Sequence, residues 1–173
     1  DAAQELNRRL GDMEQIESVR IDTFRVAYEI IAKDPEKWDP KTRETADHSL
    51  PYVVAVTLLD GVLTSRSFSQ ERINDSRVKS LLGKTTLQED DDLSLGYPAG
   101  IPNRITVATV DGRSLVEEVS FPRGHFHNPM TDAEVESKFR ANVEGYFTHE
   151  QASRVIDLVW HLEDQPDLDA LME

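Results

Sequence analysis

Apolar and polar positions along this chain follow two periods, and the switches between them mark its elements. Ala3, Leu6 and Leu10 recur at helical spacing from Ala2 onward, and Gly11 supplies a stop. Ile16, Val19 and Ile21 predict a strand, although the alternation is imperfect between 16 and 19. From Phe24 to Lys33, Val26, Ala27, Ile30 and Ile31 return to a helical period. Asp34-Pro35 and Asp39-Pro40 then bracket a loop that holds Trp38. The chain opens inside an element and without Met, which points to a processed chain or a fragment of a longer one.

The segment from Val53 to Leu59 is apolar on every side, and a helix of that kind has to be buried. Its entry carries Arg43, Glu44, Asp47 and His48, then Pro51 and Tyr52, and it ends at Asp60-Gly61. Beyond it, Asp75 to Leu82 predicts a short helix and Thr85 to Gln88 a short strand. The acidic run Glu89–Asp92 lacks calcium-loop spacing and is expected to be a solvated loop. Ile105 to Val110 and Ser114 to Phe121 flank Asp111-Gly112, a hairpin pattern that suits a type I′ turn. Two helices follow, each opened by a capping box, Thr131 with Glu134 and Thr148 with Gln151. Val135, Phe139 and Val143 line the first; Ala152, Val155, Ile156, Val159 and Leu162 line the second.

These elements sum to an α+β fold with three or four strands including a β-hairpin, helices packed on one face, and a C-terminal helical pair. The run PRGHFHNP, Pro122 to Pro129, is a natural boundary. It separates a mixed α+β domain, residues 1–129, from the helices of residues 130–173.

Composition narrows the function classes. With 33 acidic and 19 basic residues the formal charge is −14, which argues against a nucleic-acid surface or an anionic membrane. A small anionic substrate needs only a few local cations, so it stays open. No apolar run approaches the roughly 20 residues of a membrane span. The chain has no cysteine, which removes a cysteine-ligated iron–sulfur cluster and the hydratase chemistry that depends on one. Its five histidines, at 48, 125, 127, 149 and 161, show no metal-ligand spacing, and no Gly-rich phosphate loop occurs.

His48 and Tyr52 carry the best chemical opportunity. They share a face if the buried helix already includes His48; if Ser49 is the N-cap, His48 belongs to the entering loop. Beside a helix N-terminus, an imidazole and a phenol could bind a carboxylate or shuttle a proton. The plainer alternative is a histidine satisfied by Asp47 or a carbonyl, next to a core tyrosine. His125 lies in a loop with Arg123 and His127 and could meet an acidic ligand, or simply be structural. Tyr28 sits on a mixed apolar face. Arg43 and Arg104 flank turns, where arginines mostly make surface ion pairs of small energetic consequence. His149 and His161 fall on solvated helix faces.

RETADHSLPYVVAVTLLDG, then GRSLVEEV, the Gly-His of PRGHFHNP, and KFRAN together resemble the MmgE/PrpD family in the same order along nearly the whole chain. That family includes 2-methylcitrate dehydratase, cis-aconitate decarboxylase and iminodisuccinate epimerase. The resemblance implies the C-terminal part of a much longer enzyme, with its site in a cleft between the lid and a large helical domain. It implies a cofactor-independent lyase that eliminates water from a tricarboxylate, with no metal. It further implies a homodimer in the cytoplasm or mitochondrial matrix. On this resemblance His48 and Tyr52 match an HxxxY pattern as catalytic groups, and His125 matches the Gly-His loop. Tyr28 and Arg43 join His125 as substrate contacts. Decarboxylation or epimerisation on the same scaffold, and a stand-alone binding or assembly module, remain as alternatives.

Overall fold

A computed structural model describes residues 1–172, which cluster as two compact units, Asp1–Asn128 and the segment from Pro129 onward. The first unit contains helix α1 (Ala2–Leu10), strand β1 (Ile16–Thr23), α2 (Arg25–Ile31), α3 (Arg43–Asp47), α4 (Leu50–Asp60), α5 (Gln70–Ile73) and α6 (Ser76–Gly83). It continues with β2 (Thr85–Glu89), α7 (Asp91–Gly96), β3 (Asn103–Thr109) and β4 (Ser114–Val119). The four strands form one mixed sheet in the order β2-β1-β3-β4, with β1 parallel to β2 and antiparallel to β3. The fold is α+β, as the pattern of periods predicts.

Strand β1 lies second in this order, paired on both sides, and its Ile16, Val19 and Ile21 are all buried. The broken alternation in its sequence has a structural cause: the pairing with β3 shifts register between Ile16 and Ser18, as a bulge does. Edge strand β4 presents Glu117 and Glu118, charges that discourage further strand pairing.

The main core joins β1 and β3 to α1, α4 and α6 through Leu6, Ile21, Val56, Leu58, Val78 and Val107. Helix α4 buries seven of its eleven residues, including Tyr52, as its all-round apolar sequence requires. Its C-cap Gly61 adopts a left-handed conformation with φ of 71°. A side chain there would also meet Asn7 Oδ1 at 2.6 Å. That asparagine donates to Leu58 O at 2.7 Å, tying α1 to the end of α4. A second, smaller cluster gathers Phe24, Ala27 and Leu93 around α2 and α7.

Two local expectations are corrected. The acidic run is not a solvated loop. Glu89 ends β2, Asp90 caps α7 by accepting Leu93 N–H at 3.0 Å, and Asp91 and Asp92 occupy its first turn. Carboxylates there complement the N-terminal end of the helix dipole, which is why an acidic cluster can be structural. The hairpin turn is not type I′, because that turn needs Asp111 at positive φ and no described non-glycine residue has one. Instead Gly112, with φ of 82°, donates to Thr109 O at 2.9 Å, and Thr109 N–H reaches Arg113 O at 3.0 Å. The Asp111 carboxylate accepts from Thr109 Oγ1 and Arg113 Nε, which favours this wider turn.

The second unit contains α8 (Asp132–Val143), α9 (His149–Trp160) and α10 (Asp169–Met172). Both capping boxes form, Thr131 with Glu134 and Thr148 with Gln151. Leu162 falls outside the α9 stripe, in the short turn after it. Trp160 Nε1 donates to Glu136 at 2.9 Å, and Arg140 to Ser153 Oγ at 3.1 Å, joining the pair. No residue of α8 is buried and only Ala152 of α9 is.

Candidate functional site

The chain enters α4 through a tightly capped corner. Trp38 Nε1 donates to Ala32 O at 2.8 Å, fixing the loop ahead of α3. Thr42 caps α3 by accepting Thr45 N–H at 3.2 Å. The five-residue helix then stops at His48, its C-cap residue. Ser49 starts α4: its Oγ accepts Tyr52 N–H at 3.1 Å while its hydroxyl donates to Lys37 O. Pro51 is thereby accommodated in the first turn, where its missing N–H costs nothing. His48 therefore belongs to the junction between two helices, and not to the buried helix.

At that junction the His48 side chain is 65% exposed. Its Nδ1 lies 2.5 Å from Asp47 Oδ1 and 3.0 Å from Glu44 O. Both neighbours are acceptors, so Nδ1 carries the proton; in the neutral ring Nε2 is then bare. Nε2 has no hydrogen-bond partner among the described residues. The Glu44 carbonyl first, then the Asp47 hydrogen bond and charge, raise the imidazole pKa above its ordinary 6.5, against an opposing Lys37 charge.

Tyr52, four residues on, has the opposite surroundings. It is fully buried, and its hydroxyl donates to Ser67 O at 2.6 Å. Burial pushes the phenol up to about 12, so it is a neutral donor at physiological pH. The two side chains make no hydrogen bond to each other: the phenol is committed to Ser67 and the imidazole to Asp47 and Glu44. Tyr52 instead anchors α4 to the Ser65–Phe68 turn, whose Ser67 Oγ accepts Thr64 N–H at 3.1 Å.

Arg43 is the first residue of α3, exposed, and its side chain forms no ion pair among the described residues. Tyr28 is half-buried on α2, with no hydrogen bond from its hydroxyl among the described residues. Arg104 does bridge two carboxylates, Asp90 at 3.1 Å and Glu118 at 2.8 Å.

His125 occupies a compact loop closed by Gly124 N–H to Asn128 O and His125 N–H to Pro122 O, both 2.9 Å. Its Nδ1 accepts His127 N–H at 3.2 Å, so in the neutral ring Nε2 bears the hydrogen. The ring packs among Phe121, Phe126 and His127, with centroids 4.7–5.7 Å away. Arg123 in the same loop is held by Asn128 Oδ1 at 2.8 Å. In their neutral rings the two histidines thus differ at Nε2: bare at His48, an N–H at His125.

These residues line neither of two clefts in the first unit. A polar cleft of about 450 Å³ is lined instead by Asp60, Thr64, Arg66, Arg72, Asp75 and Arg77. An apolar crevice of about 400 Å³ lies against Leu50, Val53, Ile101, Ile105 and Val119. Within the cleft Arg72 ties α4 to the α5–α6 corner, donating to Asp60 at 3.1 Å and also to Asp75. Among the described residues no cluster of histidine and carboxylate side chains is arranged to hold a metal. No described helix is long and apolar enough to cross a membrane. Asp47, which the sequence names only as the partner of a structurally satisfied His48, is the residue to add to the site. Its only signal is its place directly before His48.

Comparison with known proteins adds a family and several relatives. Residues 1–164 match the model of the MmgE/PrpD C-terminal domain. The chain is 30% identical over 132 residues to cis-aconitate decarboxylase of Mus musculus, covering 76% of this chain and 27% of that protein. It is 32% identical over 149 residues to 2-methylcitrate dehydratase of Salmonella typhimurium, covering 83% of this chain and 30% of the relative. A mitochondrial 2-methylcitrate dehydratase of Yarrowia lipolytica is 30% identical over 159 residues, 88% of this chain and 30% of its own length. The chain thus spans about three tenths of the relatives it matches.

Proposed function

Since this chain belongs to the MmgE/PrpD family, we propose that it is the C-terminal part of a lyase that eliminates water from a tricarboxylate. The named 2-methylcitrate dehydratases among its relatives support this reading, and so does a match confined to the C-terminal domain. The short share of each relative supports a site completed by residues outside this chain. In this reading a larger helical domain of the same protein supplies the rest of the cleft. The enzyme is a homodimer of the cytoplasm or the mitochondrial matrix, and it needs no cofactor.

Elimination of water demands three things: removal of a proton α to a carboxylate, help for the departing hydroxyl, and stabilisation of the enediolate-like charge. His48 is suited to the first, since its outward Nε2 is an acceptor and Asp47 stabilises the imidazolium that follows. The Nε2–H of His125 suits a substrate carboxylate or its developing charge. Arg43, an exposed cation five residues before His48, suits a second carboxylate, and Tyr28 a rim contact. Tyr52 contributes by fixing the start of α4 and exchanges no proton itself, because its hydroxyl stays protonated. The observation that carries this assignment is the single-sided fixation of His48, with Nδ1 satisfied and Nε2 free.

The experiment is product analysis of the polypeptide that carries this domain, given 2-methylcitrate, cis-aconitate and iminodisuccinate. Dehydration of 2-methylcitrate is expected, with His48→Gln lowering the rate by about 100-fold or more, the usual weight of a general base. Full activity in the isolated 173 residues would sink the claim that the site is shared. Decarboxylation of cis-aconitate is the second reading, favoured by the murine relative, and carbon dioxide release would select it.

A further inference from the structure

We infer that Asp47 is a positioning residue for His48: its carboxylate, with the Glu44 carbonyl, holds Nδ1–H inward and leaves Nε2 as the proton-accepting nitrogen. This rests on the proposed role of His48 in proton transfer and deepens it, giving Asp47 the choice of tautomer and orientation as well as the stabilising charge. A ring 65% exposed at a helix end gets little help from packing in choosing one rotamer or tautomer. What fixes it is a pair of acceptors converging on one nitrogen, at 2.5 and 3.0 Å.

The two acceptors are not equivalent. Glu44 O is a neutral carbonyl from the first turn of α3, and its bond has ordinary length. The Asp47 bond is shorter, is charge-assisted through its carboxylate, and becomes an ion pair once the ring is protonated. Both bonds strengthen when Nε2 accepts a proton, and Asp47 alone adds the attraction of a full opposite charge. Of the charged groups that bear on the ring, Asp47 stabilises the imidazolium and Lys37, from the turn before α3, opposes it. The net direction is upward from 6.5, which keeps the ring a competent base near neutrality. Helix geometry makes this possible in few residues. The Glu44 carbonyl lies one turn back from His48, so the ring folds over the end of α3 and meets the side chain of its own predecessor.

Histidine nitrogen NMR on the full 173-residue chain tests this, with His48→Gln used to assign the signals. In the wild type the neutral ring should be the Nδ1–H tautomer. Asp47→Asn should move the His48 titration midpoint down, since the amide keeps the shape and loses the charge. Asp47→Ala should also raise the share of the Nε2–H tautomer. A midpoint unmoved in Asp47→Asn, or a tautomer ratio unmoved in Asp47→Ala, would overturn the inference. The measurement uses no substrate. An enzyme indifferent to His48→Gln would therefore remove the lyase assignment of His48 while leaving its link to Asp47 standing. An unmoved spectrum would do the reverse.

Discussion

Helices α3 and α4 meet at Ser49 and share one continuous run of sequence, yet they have opposite fates. Of the five residues in α3 only Ala46 is buried, whereas α4 buries seven of eleven. The difference arises from composition: Arg43, Glu44 and Asp47 have no reason to leave water, while Leu50 to Leu59 has no polar face to offer it. A rigid apolar post thus carries a charged rim on its entry side. His48 belongs to the rim and Tyr52 to the post, so residues four apart in sequence do different work. The motif that joins them in sequence does not join them by a hydrogen bond.

The comparison breaks most easily in the post. Leu58 is fully buried against the main core, so Leu58→Ala should cost about 2–5 kcal/mol, the transfer term plus a cavity term. Arg43→Ala on the rim should stay within about 0.5 kcal/mol of the wild type. Urea denaturation of the two variants measures both. Comparable losses in the two would mean that α3 is as integral as α4.

A smaller effect separates structure from chemistry at Tyr52. Removing its hydroxyl leaves Ser67 O buried without its donor, and Tyr52→Phe should cost about 1–3 kcal/mol. If Tyr52 only anchors the post, the rate of the complete enzyme should fall no more than its stability explains. Loss of turnover with unchanged stability would return Tyr52 to the catalytic set.

Most of the fold could be read from the chain because its periods are local. The caps at Thr131 and Thr148, the stop at Gly61 and the burial of α4 each follow from a few neighbouring residues. The acidic run and the hairpin turn were misread for a shared reason: in both, an aspartate side chain replaces water as the partner of backbone or hydroxyl groups, and composition does not show such bonds. The site was only half readable. Spacing singled out His48, but Tyr52 became a core residue because its phenol found Ser67, fifteen positions away. Asp47 is legible as a partner for His48, but an aspartate beside a histidine is ordinary in sequence and says nothing of a role in the site. Only the turn of α3 brings both of its acceptors onto one nitrogen.

The least of the expected effects lies in the pH dependence of the rim. His48 has a folded pKa above its unfolded 6.5, so the folded state holds its proton more tightly. Its stabilising contribution is therefore complete below the unfolded value and disappears as pH rises through the folded one. Asp75 and Asp90 behave oppositely. Hydrogen bonds from Arg77 and from the Leu93 backbone N–H, respectively, hold them below 3.8, so their contributions fail only in stronger acid. Those carboxylates are unchanged by His48→Gln, and they cancel when the two proteins are compared at each pH. The stability gap between wild type and His48→Gln should then be widest in mild acid and narrow as pH rises past neutrality. A gap that stays constant, or widens with pH, would mean that Asp47 and Glu44 do not hold the charged ring. The rim would then be no more ordered than any other exposed helix end.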